Sequence, residues 1–372
     1  MEPLQRLCKA SEDPLAYARE WKKNNRGKVI GYPCAYTPEE ILYAGGMLPF
    51  RIFSSSRSTA RADTHLQSHC CSRIKGVLED GLSGRLSFLD GVVFPHTCDA
   101  MQRLSDIWRL NLNLEYHADI PVPAKLGSGS AEKYMLEVFQ AFRYEIEENM
   151  GMRISVGRLN AALDTYARLR GYVRQLYGLR LKNPETISGA DLRAITRAAV
   201  IMDRDEFVEI MPLVIEQLNS GDIIGTGKKK RLVLSGGICD AYDISAVIEE
   251  AGGLVVGDDF CTGPRYFESE FTPAQDPMES IAAAYLERGI CPAKHTDLFA
   301  RTRRMIELVN TGEADGVIFV LLKYCDPHAF DYPQIKSALE KEGIPCMRLE
   351  IDGRHIDAEQ IKTRCEIFFN TL

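Results

Sequence analysis

The chain of 372 residues is short of the features that mark several protein classes. It has no apolar run near the roughly 18 residues of a membrane helix. Its first 20 residues are amphipathic and charged, not the apolar core of a secretory leader. A cytoplasmic protein is expected. There is no Gly-x-Gly-x-x-Gly and no Walker A pattern, so neither NAD nor ATP is expected to bind directly. No Cys-x-x-Cys occurs, which removes the usual support for zinc ribbons and thioredoxin-like pairs. Positive charge is the minority sign, 45 Lys and Arg against 52 Asp and Glu, and a net charge of −7 argues against nucleic-acid binding. The one short basic run, Lys228-Lys229-Lys230-Arg231, precedes an apolar segment and reads as a solvated strand entry.

Cysteine, by contrast, is plentiful, with eleven residues. In a reducing compartment these favour metal or redox ligation over a disulfide framework. Free cysteine is also a common core residue, so position must decide.

The chain divides into a helical lead (1–27), a first α/β lobe (28–125), a helical segment (126–225) and a second α/β lobe (226–372). In the first lobe, Lys28 to Tyr32 reads as a strand that ends at Pro33-Cys34. Thr37-Pro38-Glu39-Glu40 then reads as a helix start, with Thr37 as N-cap and Glu40 closing a capping box. The helix stops at Ala44-Gly45-Gly46, and Met47 to Ile52 resumes extended structure. After a helix over about Ser72 to Leu82, the buried strand Leu89 to Phe94 runs into Pro95-His96-Thr97-Cys98-Asp99. From Ala131 to about Leu218, apolar residues recur at helical spacing (Leu159, Leu163, Tyr166, Leu169, Tyr172, Val173).

The second lobe repeats the first. The strand from Arg231 runs to Cys239, and a helix from about Asp243 stops at Ala251-Gly252-Gly253. Asp315-Gly316-Val317-Ile318-Phe319 echoes Asp90-Gly91-Val92-Val93-Phe94, and both lead to a Cys-Asp pair, Cys98-Asp99 and Cys325-Asp326.

Open α/β sheets bind ligands beyond the carboxyl ends of their strands. Cys34, Cys98, Cys239 and Cys325 are each expected at such an end, and thiolates from separate loops suit an iron–sulfur cluster. Cys71, beside Cys70, lies at a helix start, whose positive end favours a thiolate. Cys261 follows the strand at Leu254 to Val256. The set is therefore Cys34, Cys71, Cys98 and Cys325 as metal ligands, with Cys239 and Cys261 either further ligands or packing residues. Cys8, Cys291, Cys346 and Cys365 read as core or surface thiols. His96 and His328 flank candidate ligands and are the candidate proton donors, with a structural role as the alternative. His65 and His69 read as a chance pair. Asp258 and Asp259 read as caps of the next turn. Tyr36, Tyr324 and Tyr332 are either pocket or packing residues.

At these residues, from Lys28 to Phe369, the chain resembles the 2-hydroxyacyl-CoA dehydratase and benzoyl-CoA reductase family of anaerobic bacteria. The resemblance rests on Cys34-x-x-Thr37-Pro38-Glu39-Glu40 with Ala44-Gly45-Gly46-Met47-Leu48-Pro49, and on Asp90 through Asp99. It rests too on the Cys239-Asp240 and Tyr324-Cys325-Asp326-Pro327 loops and on Leu349-Glu350-Ile351-Asp352 with Thr363-Arg364. Leu66-Gln67-Ser68 and Arg103 to Trp108 look closest to the reductase branch.

The resemblance implies two flavodoxin-like lobes with parallel sheets around a 4Fe–4S cluster, with Cys71, Cys98 and Cys325 the best-matching ligands. It also implies a dimer with a homologous or identical subunit, and a separate ATP-hydrolysing iron–sulfur activator. The substrate it implies is an acyl-CoA, dehydrated through a ketyl radical or reduced at an aromatic ring. A third branch carries a double-cubane 8Fe–9S cluster and reduces small molecules as a homodimer, and the six cysteines Cys34, Cys71, Cys98, Cys239, Cys261 and Cys325 leave it open. A structural subunit that completes a partner's acyl-CoA pocket is the remaining alternative.

Overall fold

The computed structural model describes residues 2–54, 58–220, 229–237, 243–288, 290–352 and 357–372. Its eight strands form two four-stranded parallel sheets, one in each lobe. The first holds β1 (Val29–Tyr32), β2 (Leu48–Arg51), β3 (Gly91–His96) and β4 (Tyr116–Pro121) in the order β2-β1-β3-β4. The second holds β5 (Lys230–Gly236), β6 (Gly253–Asp259), β7 (Gly316–Leu322) and β8 (Cys346–Ile351) in the order β6-β5-β7-β8. Helices cover both faces of such sheets, so the inner strands β1 and β7 are buried at every residue. This is the expected two-lobed α/β fold.

The repeat extends to individual hydrogen bonds. The Asp90 carboxylate accepts from Val29 N at 2.7 Å, and the Asp90 amide donates to Val29 O at 2.9 Å. Asp315 makes the same pair with Arg231, both at 2.7 Å. The Ala-Gly-Gly stops correspond less closely. The left-handed residue is Gly46 (φ 75°) in the first lobe and Gly252 (φ 94°) in the second, one residue earlier in the motif. Each follows its helix by two residues, where a glycine tolerates positive φ and turns the chain into the next strand.

Four helices, Gly129–Met150, Val156–Lys182, Gly189–Ile201 and Arg204–Ser220, lie between the two sheets in sequence. The leading helices Pro3–Glu12 and Pro14–Asn25 are tied to them by Arg6, whose Nε donates to Glu206 at 2.7 Å, and by the Tyr17 hydroxyl, bonded to the same carboxylate. Among the described residues, no helix is long and apolar enough to cross a membrane.

The capping box at Thr37 does not form. The helix runs Glu39–Ala44 with Pro38 at its N-cap, and the buried Thr37 hydroxyl has no partner among the described residues. The Tyr285 hydroxyl approaches the Glu39 amide at 3.3 Å instead. The two carboxylates are drawn away by arginines. Glu39 accepts from Arg204 at 2.6 Å and from the Tyr32 hydroxyl at 2.8 Å. Glu40 pairs with Arg170, with Tyr285 at 2.9 Å and with Arg288 at 3.8 Å. These five charged side chains are at most 1% exposed, so they compensate one another or not at all.

Burial pushes the Glu39 carboxyl up, but the Arg204 charge and the hydrogen bonds from Arg204 and Tyr32 win and hold it below its ordinary value. A carboxyl with a depressed native pKa adds stability that is complete above its unfolded value, about pH 4.3. That stability is lost as pH falls through the lower native value. We therefore expect Glu39→Gln to flatten the acid limb of Tm against pH. Arg204→Met should cost about 3–5 kcal/mol in chemical denaturation, because Glu39 is left charged and buried. Adding Glu39→Leu should recover much of that loss. A cost below about 1 kcal/mol for Arg204→Met would show that the pair does not hold the segments together.

Candidate functional site

Strand ends and helix starts together deliver the thiols. β3 leads to Cys98 and β7 leads to Cys325, and each cysteine is the N-cap of the next helix, Asp99–Asn111 and Asp326–Lys341. Cys71 is the N-cap of Ser72–Leu82. Tyr324, at φ 62°, takes the left-handed turn that brings Cys325 to its cap, an uncommon conformation for an aromatic residue. All three cysteines line one cavity of about 750 Å³, walled by residues of both lobes.

Each thiol is subject to opposing pulls. The Cys70 hydrogen bond lowers Cys71 to about 7, burial opposing it and the Ile74 and Arg73 amides assisting. Burial raises Cys98 to about 12 against the Met101 amide, and raises Cys325 against the His328 amide. In all three an amide three residues on assists, where helix donors lack intrahelical partners. Charge on Cys71 and Cys34 raises Cys98 further, and charge on Cys71, Cys98 and Cys261 raises Cys325. Thiols that resist one another's ionisation share one space.

The cavity also gathers a thiol that no sequence pattern marked. Cys291, expected as a core or surface residue, lines it. It sits on a turn after the helix Pro277–Glu287 that crosses to the first lobe, where Lys125 pairs with His295 in a β-bridge. Burial raises Cys291 to about 11, and the charges of Cys261 and Cys34 act in the same direction. Lys294 follows it, buried, donating to Val122 O at 2.7 Å and His96 O at 3.3 Å. Burial lowers the Lys294 amine, while Cys291, Cys34 and Cys98 favour its charged form. Cys34 Sγ lies 3.4 Å from the hydroxyl of Thr97, the lining residue before Cys98. Cys261 follows β6 and meets Arg265. Cys70 lines the cavity as well, its thiol pushed up by the hydrogen bond to Cys71 and by burial. Cys8 and Cys346 lie elsewhere, and Cys365 is in the second-lobe core. Cys239, and the Cys239-Asp240 loop, fall outside the described residues.

The ten described cysteines are free. Among the described residues, no three His, Cys, Asp or Glu side chains form a group that could hold a metal ion.

The two candidate histidines stand back from the cavity. His96 Nε2 is 2.8 Å from Asp119 Oδ1, a carboxylate also held by Ser105 and Arg109. His328 is buried towards Gly237, and burial with Arg265 and Arg301 holds it neutral, well below its usual range. His65, His69 and His295 line the cavity. The helical spacing of His65 and His69, read as a chance pair, marks two of them, and His295 has no such pattern. Asp258 caps its turn as expected, accepting from Phe260 N at 3.0 Å, but Asp259 is committed to arginines. Tyr324 lines the cavity, Tyr36 donates to Arg288 O at 2.7 Å, and Tyr332 packs edge-on against Phe319.

The family model described as 2-hydroxyglutaryl-CoA dehydratase, D-component, matches residues 34–372. The benzoyl-CoA reductase of Thauera aromatica has a subunit that is 29% identical over 376 residues, covering 98% of this chain and 97% of that protein. The beta subunit of (R)-phenyllactyl-CoA dehydratase from Clostridium sporogenes is 26% identical over 97% of this chain and 96% of its own length. The beta subunit of (R)-2-hydroxyglutaryl-CoA dehydratase from Acidaminococcus fermentans is 24% identical, over 99% and 98%. These relatives are subunits of lyases and oxidoreductases. With two parallel four-stranded sheets and a match that runs from the first candidate ligand to the last residue, the chain belongs to the 2-hydroxyglutaryl-CoA dehydratase D-component family.

Proposed function

We propose that this chain is the cytoplasmic iron–sulfur subunit of a low-potential reductase or dehydratase acting on an acyl-CoA. It works in a dimer with a homologous or identical subunit and is charged by a separate ATP-hydrolysing iron–sulfur activator. One observation carries this reading: three helices point their N-termini at one cavity, and the N-cap of each is a cysteine, Cys71, Cys98 and Cys325. Helix N-termini favour negative charge, which both thiolates and a thiolate-ligated cluster carry. A cluster held there would supply single electrons, and protein-bound clusters reach potentials of roughly −700 mV.

The chain's own residues do the rest. Cys71, Cys98 and Cys325 hold the iron, with Cys34, against the Thr97 hydroxyl, as the fourth ligand. Lys294 and Arg103 offer positive charge to an anionic group in the cavity, and His65, His69 and His295 are the side chains placed to hold a proton beside it. His96 acts through Asp119, and His328 through the second-lobe core.

A second reading has an observation of its own. Cys34, Cys70, Cys261 and Cys291 join the first three in one electrostatically linked set of seven described thiols. These are enough thiols for the double-cubane 8Fe–9S alternative, whose expected six included Cys239, outside the described residues, and not Cys291.

Iron and acid-labile sulfide on anaerobically purified protein separate the two. About four irons per chain supports a single cubane, and about eight the double one. Cys98→Ser and Cys325→Ser should each lower bound iron by more than half. Unchanged iron in both would leave the chain with a structural role, completing a partner's pocket. In a chain with eight irons, Cys291→Ser should lose iron, and in a chain with four it should not.

A further inference from the structure

A buried carboxylate outside the cavity wall is wired to the thiols of the second lobe. Asp259, at the end of β6, is 3% exposed and takes Arg265 Nε at 2.8 Å on one oxygen. Its other oxygen takes Arg301 at 3.0 Å and the Ser235 hydroxyl at 3.2 Å. Arg265 then donates from Nη1 to Cys261 Sγ at 3.2 Å and from Nη2 to Gly236 O at 3.0 Å. Arg301 donates to the carbonyl of Ile290, the residue before Cys291, and to Asp331 at 2.6 Å, on the helix that Cys325 caps. Two guanidinium groups thus run from one carboxylate to the segments bearing Cys261, Cys291 and Cys325.

An arginine this deep must place its donors, and backbone carbonyls would satisfy it. This one spends a donor on sulfur. A bond of that kind brings a donor and a permanent positive charge to the sulfur, because Arg cannot give up its proton. Asp259 fixes the fork, and burial removes the water that would screen it.

We propose that Arg265, held by Asp259, is a positioning residue that keeps a charged donor on the Cys261 sulfur and raises the potential of the metal group that sulfur helps to bind. The inference rests on the second reading, in which Cys261 is among the iron ligands. A donor and a positive charge beside a ligand sulfur stabilise the reduced, more negative state, so their loss moves the potential down.

The test uses anaerobically purified, iron-loaded full-length protein, with bound iron counted and the midpoint potential read by a spectroscopically monitored redox titration. Arg265→Met should shift the potential to a more negative value, and Arg265→Lys, which keeps the charge, should recover part of the shift. Cys261→Ala leaves the Arg265–Asp259 pair whole and carries the test if Arg265→Met does not fold. It should lose iron or move the potential. Variants with wild-type iron and wild-type potential overturn the inference while leaving the cluster reading intact. Wild-type protein that binds no iron removes the reading itself.

Discussion

Two adjacent glutamates and three arginines, all buried, fix where the halves of this molecule can meet. Glu39 and Glu40 begin the first helix of the first lobe, while Arg170 and Arg204 belong to the intervening helices and Arg288 to the second half. A hydrophobic contact would tolerate sliding, because apolar burial has no direction. Buried charges do not, because each must keep its partner within hydrogen-bond reach or bear the full cost of desolvation. Arg288 reaches across to Ala35 O and accepts the Tyr36 hydroxyl on its own carbonyl, so the register extends to the residues beside Cys34. Cys291, three residues beyond Arg288, is carried to the cavity by the same crossing.

Within that frame the cavity resolves a conflict between burial and charge. Burial raises Cys98, Cys291 and Cys325, and each neighbouring thiolate makes the next ionisation harder. A set of bare thiols would therefore stay largely protonated and gain little from being together. Helix amides, Lys294 and Arg265 work in the opposite direction, and a cation-rich group in the centre would complete the balance by turning mutual repulsion into shared attraction.

The sequence disclosed the parts that leave a local trace. Strands β1, β3, β5 and β7 are apolar runs with turn residues after them, and the helix at Ser72–Leu82 has its expected limits. Cys34, Cys98 and Cys325 could be placed from strand ends alone. The edge strand β4 could not, because His117 and Asp119 face outward and break the apolar run. The Thr37 capping box fails for a physical reason: a glutamate three residues after a threonine has the same spacing whether it reaches back to the backbone or across to a distant arginine. Arg170 lies 130 residues from Glu40, and only the fold reveals it. Cys291 was hidden in the same way, since it follows no strand and owes its place to contacts with the first lobe.

The two lobes repeat a backbone but not a method of holding sulfur. In the first, Cys71 and Cys98 rest on helix N-termini, with Cys34 against the Thr97 hydroxyl. In the second, Cys325 has a helix behind it, while Cys261 hangs on Arg265 and Cys291 on a turn whose carbonyl Arg301 grips. Backbone dipoles are fixed once the helix forms, whereas a guanidinium brings a full charge that a single substitution can alter. Both lobes line the cavity, and the second adds two guanidinium groups that reach the segments bearing Cys261 and Cys291. The arginines therefore need a strong anchor, and Asp259, which Arg265 and Arg301 hold at about 2 against the upward push of burial, remains charged wherever the protein is folded at neutral pH.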